Sequence, residues 1–238
     1  MDRSELLSNR LTFQVFLKEC WKHLRLPPPT PIQLDIAEYI GDPRKSPRRA
    51  IVEAFRGVGK SYITSAYVCY RLLLNPDIKC LVVSASKVRA DDFSTFTQRL
   101  IKEMPILAEL IPREGQRDSK ISFDVGPAKA AHAPSVKSIG ITGQLSGSRA
   151  DLIIADDIEI PSNSQTQMMR EKLGEAIKEF DAVLSPNGQV IFLGTPQCEQ
   201  TIYDVLPSRG YEMRIWTARF PLEAQREKYL GRISPFIN

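Results

Sequence analysis

Residues 55–61 (FRGVGKS) carry the side-chain types that bind a phosphate chain. They follow a strand-like apolar run and lead directly into a helical segment. Gly57 and Gly59 allow backbone N–H groups to turn toward phosphate oxygens, and a helix that begins near Lys60 directs its positive end at the same anion. In this pattern the Lys60 ammonium reaches the β- and γ-phosphates, and the Ser61 hydroxyl is a ligand for Mg²⁺. The segment therefore predicts a nucleotide site.

The segment matches the pattern GxxxxGK[ST] except at its first position, where Ala54 replaces glycine. Arg56 adds a second cation inside the loop. Its guanidinium either stabilises charge on the terminal phosphate within the chain or points to solvent. The residues predicted to bind ATP here are Ala54, Phe55, Arg56, Gly57, Val58, Gly59, Lys60, Ser61 and Tyr62.

Two carboxylates follow an apolar run at residues 152–157 (LIIADD). In an open α/β sheet, a buried strand delivers such groups at its carboxyl end, beside the phosphate loop. Asp156 is predicted to hold Mg²⁺ together with Ser61, since hard cations prefer oxygen ligands. Asp157 is predicted to polarise the attacking water. Glu159 is the rival base, and the sequence does not choose between the two.

Three polar residues lie near these segments in sequence. Arg149 is a candidate arginine finger, within the chain or toward a neighbouring subunit, or else it forms a salt bridge to Asp151. Thr195 ends an apolar strand, where its hydroxyl would sense the γ-phosphate, and Pro196 fixes the turn. Gln33 follows a run of prolines, and its amide can donate to and accept from an adenine edge.

The composition is that of an ordered globular protein. Of 238 residues, 42% are apolar and 25% charged, which argues against disorder. The four cysteines form no CxxC pair, so a disulfide scaffold or a zinc ribbon is excluded and a reducing compartment is favoured. No apolar run approaches the roughly 18 residues that a bilayer requires. A cytosolic protein with no membrane partner is expected.

Charge is distributed unevenly along the chain. Residues 1–150 carry an excess of Lys and Arg, whereas residues 151–200 carry an excess of Asp and Glu. This distribution suits a protein that handles polyanions and holds a divalent cation locally. A solvated surface with ordinary scatter of charge is the alternative.

An alternation of strands and helices from residue 50 predicts an α/β fold, a mostly parallel sheet with helices on both faces. The predicted strands are 50–54, 80–84, 151–156, 189–194 and 211–216, and the predicted helices are 11–25, 32–40, 60–74, 87–104, 164–180 and 199–206. Residues 120–125 and 136–141 are predicted to form an inserted hairpin or an edge pair. The expected organisation is a helical, adenine-contacting segment (1–47), an ATPase core (48–220) and a tail or linker (221–238).

Four phrases occur in one order: TPIQ at 30–33, AFRGVGKS at 54–61, SRADLIIADD at 148–157 and FLGTPQ at 192–197. This order resembles the ATPase domain of the large terminase subunit of tailed bacteriophages. Longer phrases, such as GQRDSKISFDVGPA at 115–128, are similar to its short-tailed podophage form, also called DNA maturase B.

The resemblance implies a P-loop NTPase of the ASCE/RecA-like type that uses ATP and Mg²⁺ to move double-stranded DNA into a procapsid. It implies a homo-oligomeric ring, contacts with the portal or procapsid and the small terminase subunit, and a location in the host cell cytoplasm. It also implies that Gln33 contacts adenine and that Thr195 lies in the segment coupling hydrolysis to movement. Large terminases usually continue into a nuclease domain. The 238 residues leave no room for one, so no DNA cleavage is expected.

Two other functions would use the same residues. One is a helicase-type ATPase that separates strands, which an unwinding assay would detect. The other is a non-catalytic module in which ATP orders an interface with DNA or the capsid. Turnover that rises when DNA or procapsid is added would exclude the non-catalytic module.

Overall fold

The computed structural model describes residues 12–42, 44–145, 147–195, 201–219 and 221–234. The helices are α1 (Phe13–His23), α2 (Pro31–Gly41), α3 (Lys60–Leu74), α4 (Lys87–Glu103), α5 (Pro161–Ser164), α6 (Gln167–Val183), α7 (Ile202–Val205) and α8 (Glu223–Arg226). Short 3₁₀ helices span Pro105–Leu110, Leu206–Arg209 and Glu227–Tyr229. The strands are β1 (Arg49–Ala54), β2 (Cys80–Ser84), β3 (Ser122–Phe123), β4 (Val136–Gly140), β5 (Ala150–Asp156), β6 (Leu184–Gly194) and β7 (Glu212–Trp216).

Within the described residues, the seven strands form one sheet in the order β3-β4-β2-β5-β6-β1-β7. Neighbouring strands run parallel except β3 and β4, which pair antiparallel at one edge. The edge pair predicted from residues 120–125 and 136–141 is therefore present. The carboxyl ends of β1, β2, β5 and β6 all meet along the same edge of the sheet, and this edge carries the phosphate loop.

Both faces of the sheet are buried. On one face, Val52 and Ile154 join a core cluster that includes side chains of α1 to α4. On the other face, Ile51 and Ile153 pack with Ile177 and other apolar side chains of α6. Successive residues of each strand thus enter opposite cores, as a pleated strand requires. The α/β prediction with helices on both faces is confirmed.

Most predicted elements lie within a few residues of the observed ones, and the largest difference is at β6. This strand begins at Leu184 rather than at residue 189, so it includes the turn-like sequence SPNG at 185–188. Leu184 pairs with Ala150 of β5 and Gln189 pairs with Leu152, so the four residues between Leu184 and Gln189 lie outside the ladder as an irregularity in the strand. The sequence SPNG therefore keeps its local preference for a turn, and the pairing of Leu184 extends the strand beyond it.

The segment from residue 221, which the sequence predicts as a tail or linker, contains α8 and is attached to the core at Ser234. Ser234 is fully buried, and its backbone N–H donates to the carbonyl of Ile215 at 2.9 Å. The division into three segments stays a prediction. None of the described helices is both long and apolar enough to cross a bilayer.

Candidate nucleotide-binding site

The phosphate loop connects β1 to α3 through two glycines in the left-handed region. Gly57 has φ +92° and Gly59 has φ +86°, conformations that are strained for residues with a Cβ. Gly59 is the N-cap of α3 and offers no side chain to cap the helix. The first N–H groups of this helix therefore remain available to an anion.

Lys60 lies within this loop and is buried, with 7% of its surface exposed. Its Nζ donates to the carbonyl of Ala54 at 2.8 Å and to Oγ1 of Thr195 at 2.9 Å. Burial lowers the pKa of Lys60, while the carboxylates of Asp157 and Asp156 act in the opposite direction. The structure thus brings together the loop, the end of β6 and the end of β5.

Ser61 and Asp156 form a pair of hard oxygen donors. The Ser61 hydroxyl donates to Oδ1 of Asp156 at 3.0 Å. Burial, and next the charge of Asp157, raise the pKa of Asp156 to about 6, although the bond from Ser61 acts against the rise. Two adjacent carboxylates in a partly desolvated place favour a bound cation.

A buried hydroxyl lies beside this pair. Ser84 ends β2 in register with Asp156 of β5, and its Oγ has no hydrogen-bond partner among the described residues. Buried polar atoms are ordinarily satisfied by protein, water or an ion. The unpaired hydroxyl, together with the Ser61–Asp156 pair, fits a hydrated Mg²⁺ at this point.

An open cleft of about 500 Å³ lies in front of these groups. Five residues predicted from the sequence line it: Arg56, Ser61, Tyr62, Asp156 and Asp157. Five further lining residues were not predicted: Ser65, Arg89, Asp92, Phe93 and Phe96. The last four belong to α4, which follows β2. The pairing of β2 with β5 brings this helix beside Asp156, and no local sequence pattern reveals that strand order.

The remaining loop residues have structural contacts. The Val58 side chain is 5% exposed, and Phe55 packs against the core of the α1–α4 face. Tyr62 is 46% exposed, and its ring centroid lies 4.8 Å from that of Phe96. Ala54 is nearly buried and contributes its carbonyl, so the absence of glycine at this position leaves the loop intact.

Gln33 lies against the phosphate loop. Its Nε2 donates to the carbonyl of Val58 at 2.9 Å, and its Oε1 accepts from the Thr30 N–H at 2.8 Å. The second bond belongs to the capping box at the start of α2. Gln33 therefore fixes α2 to the loop, and its contact with adenine stays a prediction.

The two rival bases have different surroundings. Glu159 is 2% exposed, and its carboxylate accepts from the Thr201 hydroxyl at 2.8 Å and from the Ile202 N–H at 2.7 Å. Asp157 lines the open cleft. The geometry favours Asp157 as the group that faces a substrate, whereas Glu159 anchors the start of α7.

Arg149 lies away from this site. It is exposed and immediately precedes β5, at the amino end of a strand whose carboxyl end carries Asp156. It lines a separate cleft with Lys79 and Lys137, and among the described residues it forms no ion pair with Asp151. The structure therefore does not bring Arg149 to the phosphate loop of its own chain. A contact with a second copy stays a prediction. Pro196 lies outside the described residues.

Comparison with known proteins agrees with the resemblance. No protein-family model matches the chain. The chain is 53% identical over 231 residues to the large terminase subunit of Enterobacteria phage T3, an alignment that covers 94% of this chain and 39% of that protein. The chain therefore spans less than half the length of this relative. The similarity to a large terminase predicted from the motifs is confirmed.

Two solved structures share the fold. The large terminase of bacteriophage HK97 superposes with a TM-score of 0.58 at 14% identity, over 96% of this chain and 49% of that one. The Dbp5 protein of S. cerevisiae superposes with a TM-score of 0.54 at 12% identity, over 86% of this chain and 52% of that one. At such identities the likeness concerns the fold alone.

Proposed function

Because this chain is similar over nearly all its length to a large terminase subunit, we propose that it is the ATPase part of a viral DNA-packaging motor. ATP hydrolysis would drive double-stranded DNA into a procapsid. The observation that carries the proposal is that four side chains meet at one edge of a parallel sheet: Lys60, Ser61, Asp156 and Thr195. They lie beside the N-terminal end of α3, whose first N–H groups are available to an anion.

ATP would bind through the loop backbone and Lys60. The ammonium already lies at the loop, held by Ala54 and Thr195, and would turn to the β- and γ-phosphates when the nucleotide enters. Ser61 and Asp156 would hold Mg²⁺, which neutralises phosphate charge when bound. Arg56 lines the cleft and would add a cation at the terminal phosphate.

Asp157 would position the attacking water. It lines the cleft beside Asp156, whereas the Glu159 carboxylate is occupied by Thr201 and Ile202. A water held by Asp157 would attack the terminal phosphate in line with the leaving oxygen. ADP and phosphate would be the products.

Thr195 would report the state of the site to the rest of the molecule. Its contact with Lys60 must change when that ammonium moves to the phosphates. Thr195 directly follows Gly194, the last residue of β6, and Gly194 packs closely against Tyr203 of α7. A change in the contact with Lys60 would therefore reach α7.

The proposed partners follow from the same family. They are double-stranded DNA, further copies of this chain in a ring, the portal or procapsid, and the small terminase subunit, all in the cytoplasm of the host cell. The excess of basic residues outside 151–200 supports binding to DNA.

The direct test is Lys60→Ala in the presence of DNA and procapsid. The wild-type protein is expected to hydrolyse ATP and the variant to lose turnover by at least about a hundredfold. Lys172→Ala, which removes an exposed ammonium from α6, is the control and should retain turnover. Wild-type turnover in the Lys60→Ala variant would contradict the site. Separation of duplex strands by the wild-type protein would instead favour the helicase function.

A further inference from the structure

Arg89 is a cation in the candidate site that the sequence motifs do not include. It occupies the first turn of α4, where its N–H donates to the N-cap Ser86. Its side chain is exposed and lines the same cleft as Ser61 and Asp156. Among the described residues it forms no ion pair, although Asp92 lies one turn further along the helix.

Arg89 reaches the cleft from a different wall than Arg56. Arg56 belongs to the phosphate loop after β1, whereas Arg89 belongs to the helix after β2. In the sheet order, β2 and β1 lie on opposite sides of β5, the strand that ends at Asp156. Arg56 and Arg89 therefore enter the cleft from elements that lie on opposite sides of β5.

The cleft is lined by charges of both signs. Three carboxylates, Asp92, Asp156 and Asp157, lie there with Arg56 and Arg89. The positive charge of Arg89 is close enough to Asp156 to lower the pKa of that carboxyl against the effect of burial. The planar guanidinium of an arginine can donate two parallel hydrogen bonds to two oxygens of one phosphate. The unpaired Arg89 is thus placed for a phosphate group in front of Asp157.

We infer that Arg89 binds the terminal phosphate of ATP from the wall opposite Arg56. This inference rests on the proposed function, since it requires ATP to occupy the loop. The phosphates nearer the nucleoside are held by the loop backbone, while Arg89 contacts the one phosphate that ADP lacks. Arg89 thereby makes the site distinguish ATP from ADP within a single chain.

The test compares two nucleotides in the Arg89→Ala variant. Calorimetric binding of a non-hydrolysable ATP analogue and of ADP is measured with Mg²⁺ on the full chain. The variant is expected to lose about tenfold or more in affinity for the analogue, with ADP affinity unchanged within about twofold. Arg89→Lys keeps the positive charge but cannot donate two parallel hydrogen bonds, so an intermediate loss of affinity for the analogue is expected.

Arg99→Ala is the matched control, because Arg99 lies on the same helix and pairs with Glu103 at 3.0 Å. It should change neither affinity. An equal loss for both nucleotides in Arg89→Ala would show a role in the metal site or in folding and would overturn the inference, as would no loss at all. A wild-type chain that bound neither nucleotide would contradict the proposed function instead.

Discussion

At the scale of single residues, two acids that lie two positions apart in sequence have different surroundings. Asp157 adopts φ +43° and lines the cleft, whereas Glu159 is buried and accepts hydrogen bonds from Thr201 and Ile202. The backbone at Asp157 turns the chain away from the strand direction of β5. A positive φ is tolerated by Asp and Asn better than by most residues, so an amide substitution preserves this turn.

Asp157→Asn is expected to abolish hydrolysis while ATP binding is retained, because the amide cannot polarise a water as a carboxylate does. Glu159→Gln is expected to lower Tm by about 5 °C, since charge-assisted bonds to a buried carboxylate are weakened. Turnover and Tm of both variants check this. Loss of turnover in Glu159→Gln at unchanged Tm would reverse the assignment.

Glu53 is a half-buried acid of β1 near the site. Burial, and next the charge of Asp204, raise its pKa to about 7, while Arg232 and Lys60 act in the opposite direction. In the folded chain Glu53 therefore holds its proton at pH values where the unfolded chain has lost it. Its contribution to stability falls as the pH rises from about 4.5 to about 7, the interval between the unfolded and folded pKa.

Glu53→Gln removes this titration. As the pH rises from 5 to 8, the Tm of the variant is expected to increase relative to that of the wild type. Only the wild type has a carboxyl at this position that becomes charged while it is half-buried. Thermal unfolding of both proteins across this range measures the difference. A difference in Tm that is constant with pH would contradict the raised pKa.

At the scale of elements, the end of β6 packs closely against α7 at Gly194. A Cβ added there would lie 2.9 Å from the ring of Tyr203, whose hydroxyl donates to the carbonyl of Leu193. The ring is fully buried and packed on the α6 face of the sheet, so it has little room to move. Thr195 follows this glycine directly, and the close packing therefore positions the hydroxyl that accepts from Lys60.

Gly194→Ala is expected to lower Tm by roughly 3–10 °C through overpacking. Gly174→Ala in α6 is the matched control. The atoms nearest to a Cβ added there belong to Arg209 and Ile202, and they lie 3.9 Å away. It should raise Tm by roughly 1–3 °C, since alanine favours a helix. Thermal unfolding compares the two, and equal effects would contradict the crowding at Gly194.

At the scale of the whole molecule, Asp35 joins segments that are far apart in sequence. This carboxylate of α2 is 8% exposed and accepts from Nε1 of Trp216 at 2.7 Å and from the Ser234 hydroxyl. Arg214 lies 3.7 Å from its other oxygen. The same helix carries Gln33, which holds the phosphate loop. The C-terminal segment, β7 and the loop are thereby connected through α2.

Asp35→Ala would remove the acceptor of two hydrogen bonds, from Trp216 and Ser234, and the ion-pair partner of Arg214, so a fall in Tm of about 10 °C is expected. Ser234→Ala removes only one donor and should cost a few degrees at most. Thermal unfolding of both variants tests this ranking. A loss in Asp35→Ala no larger than in Ser234→Ala would contradict the central place of Asp35.

The sequence by itself determined the fold class, the bounds of α3 and β2, and the residues of the loop and of the β5 end. These features depend on local chemistry. Glycines set the turn, apolar runs set buried strands, and the spacing of Lys60 and Ser61 is fixed by the first turn of a helix.

Only the tertiary structure decided what depends on strand order and side-chain contacts between distant segments. The pairing of β2 with β5 brought Arg89 into the cleft. The bonds from Thr201 and Ile202 gave Glu159 surroundings that differ from those of Asp157, a difference that the sequence does not show. Arg149 lies at the amino end of β5, whereas the phosphate loop lies at the carboxyl ends of the strands, and this separates Arg149 from the loop of its own chain. Periodicity along a chain shows which side of a strand is buried, but it carries no information on which strand lies beside it.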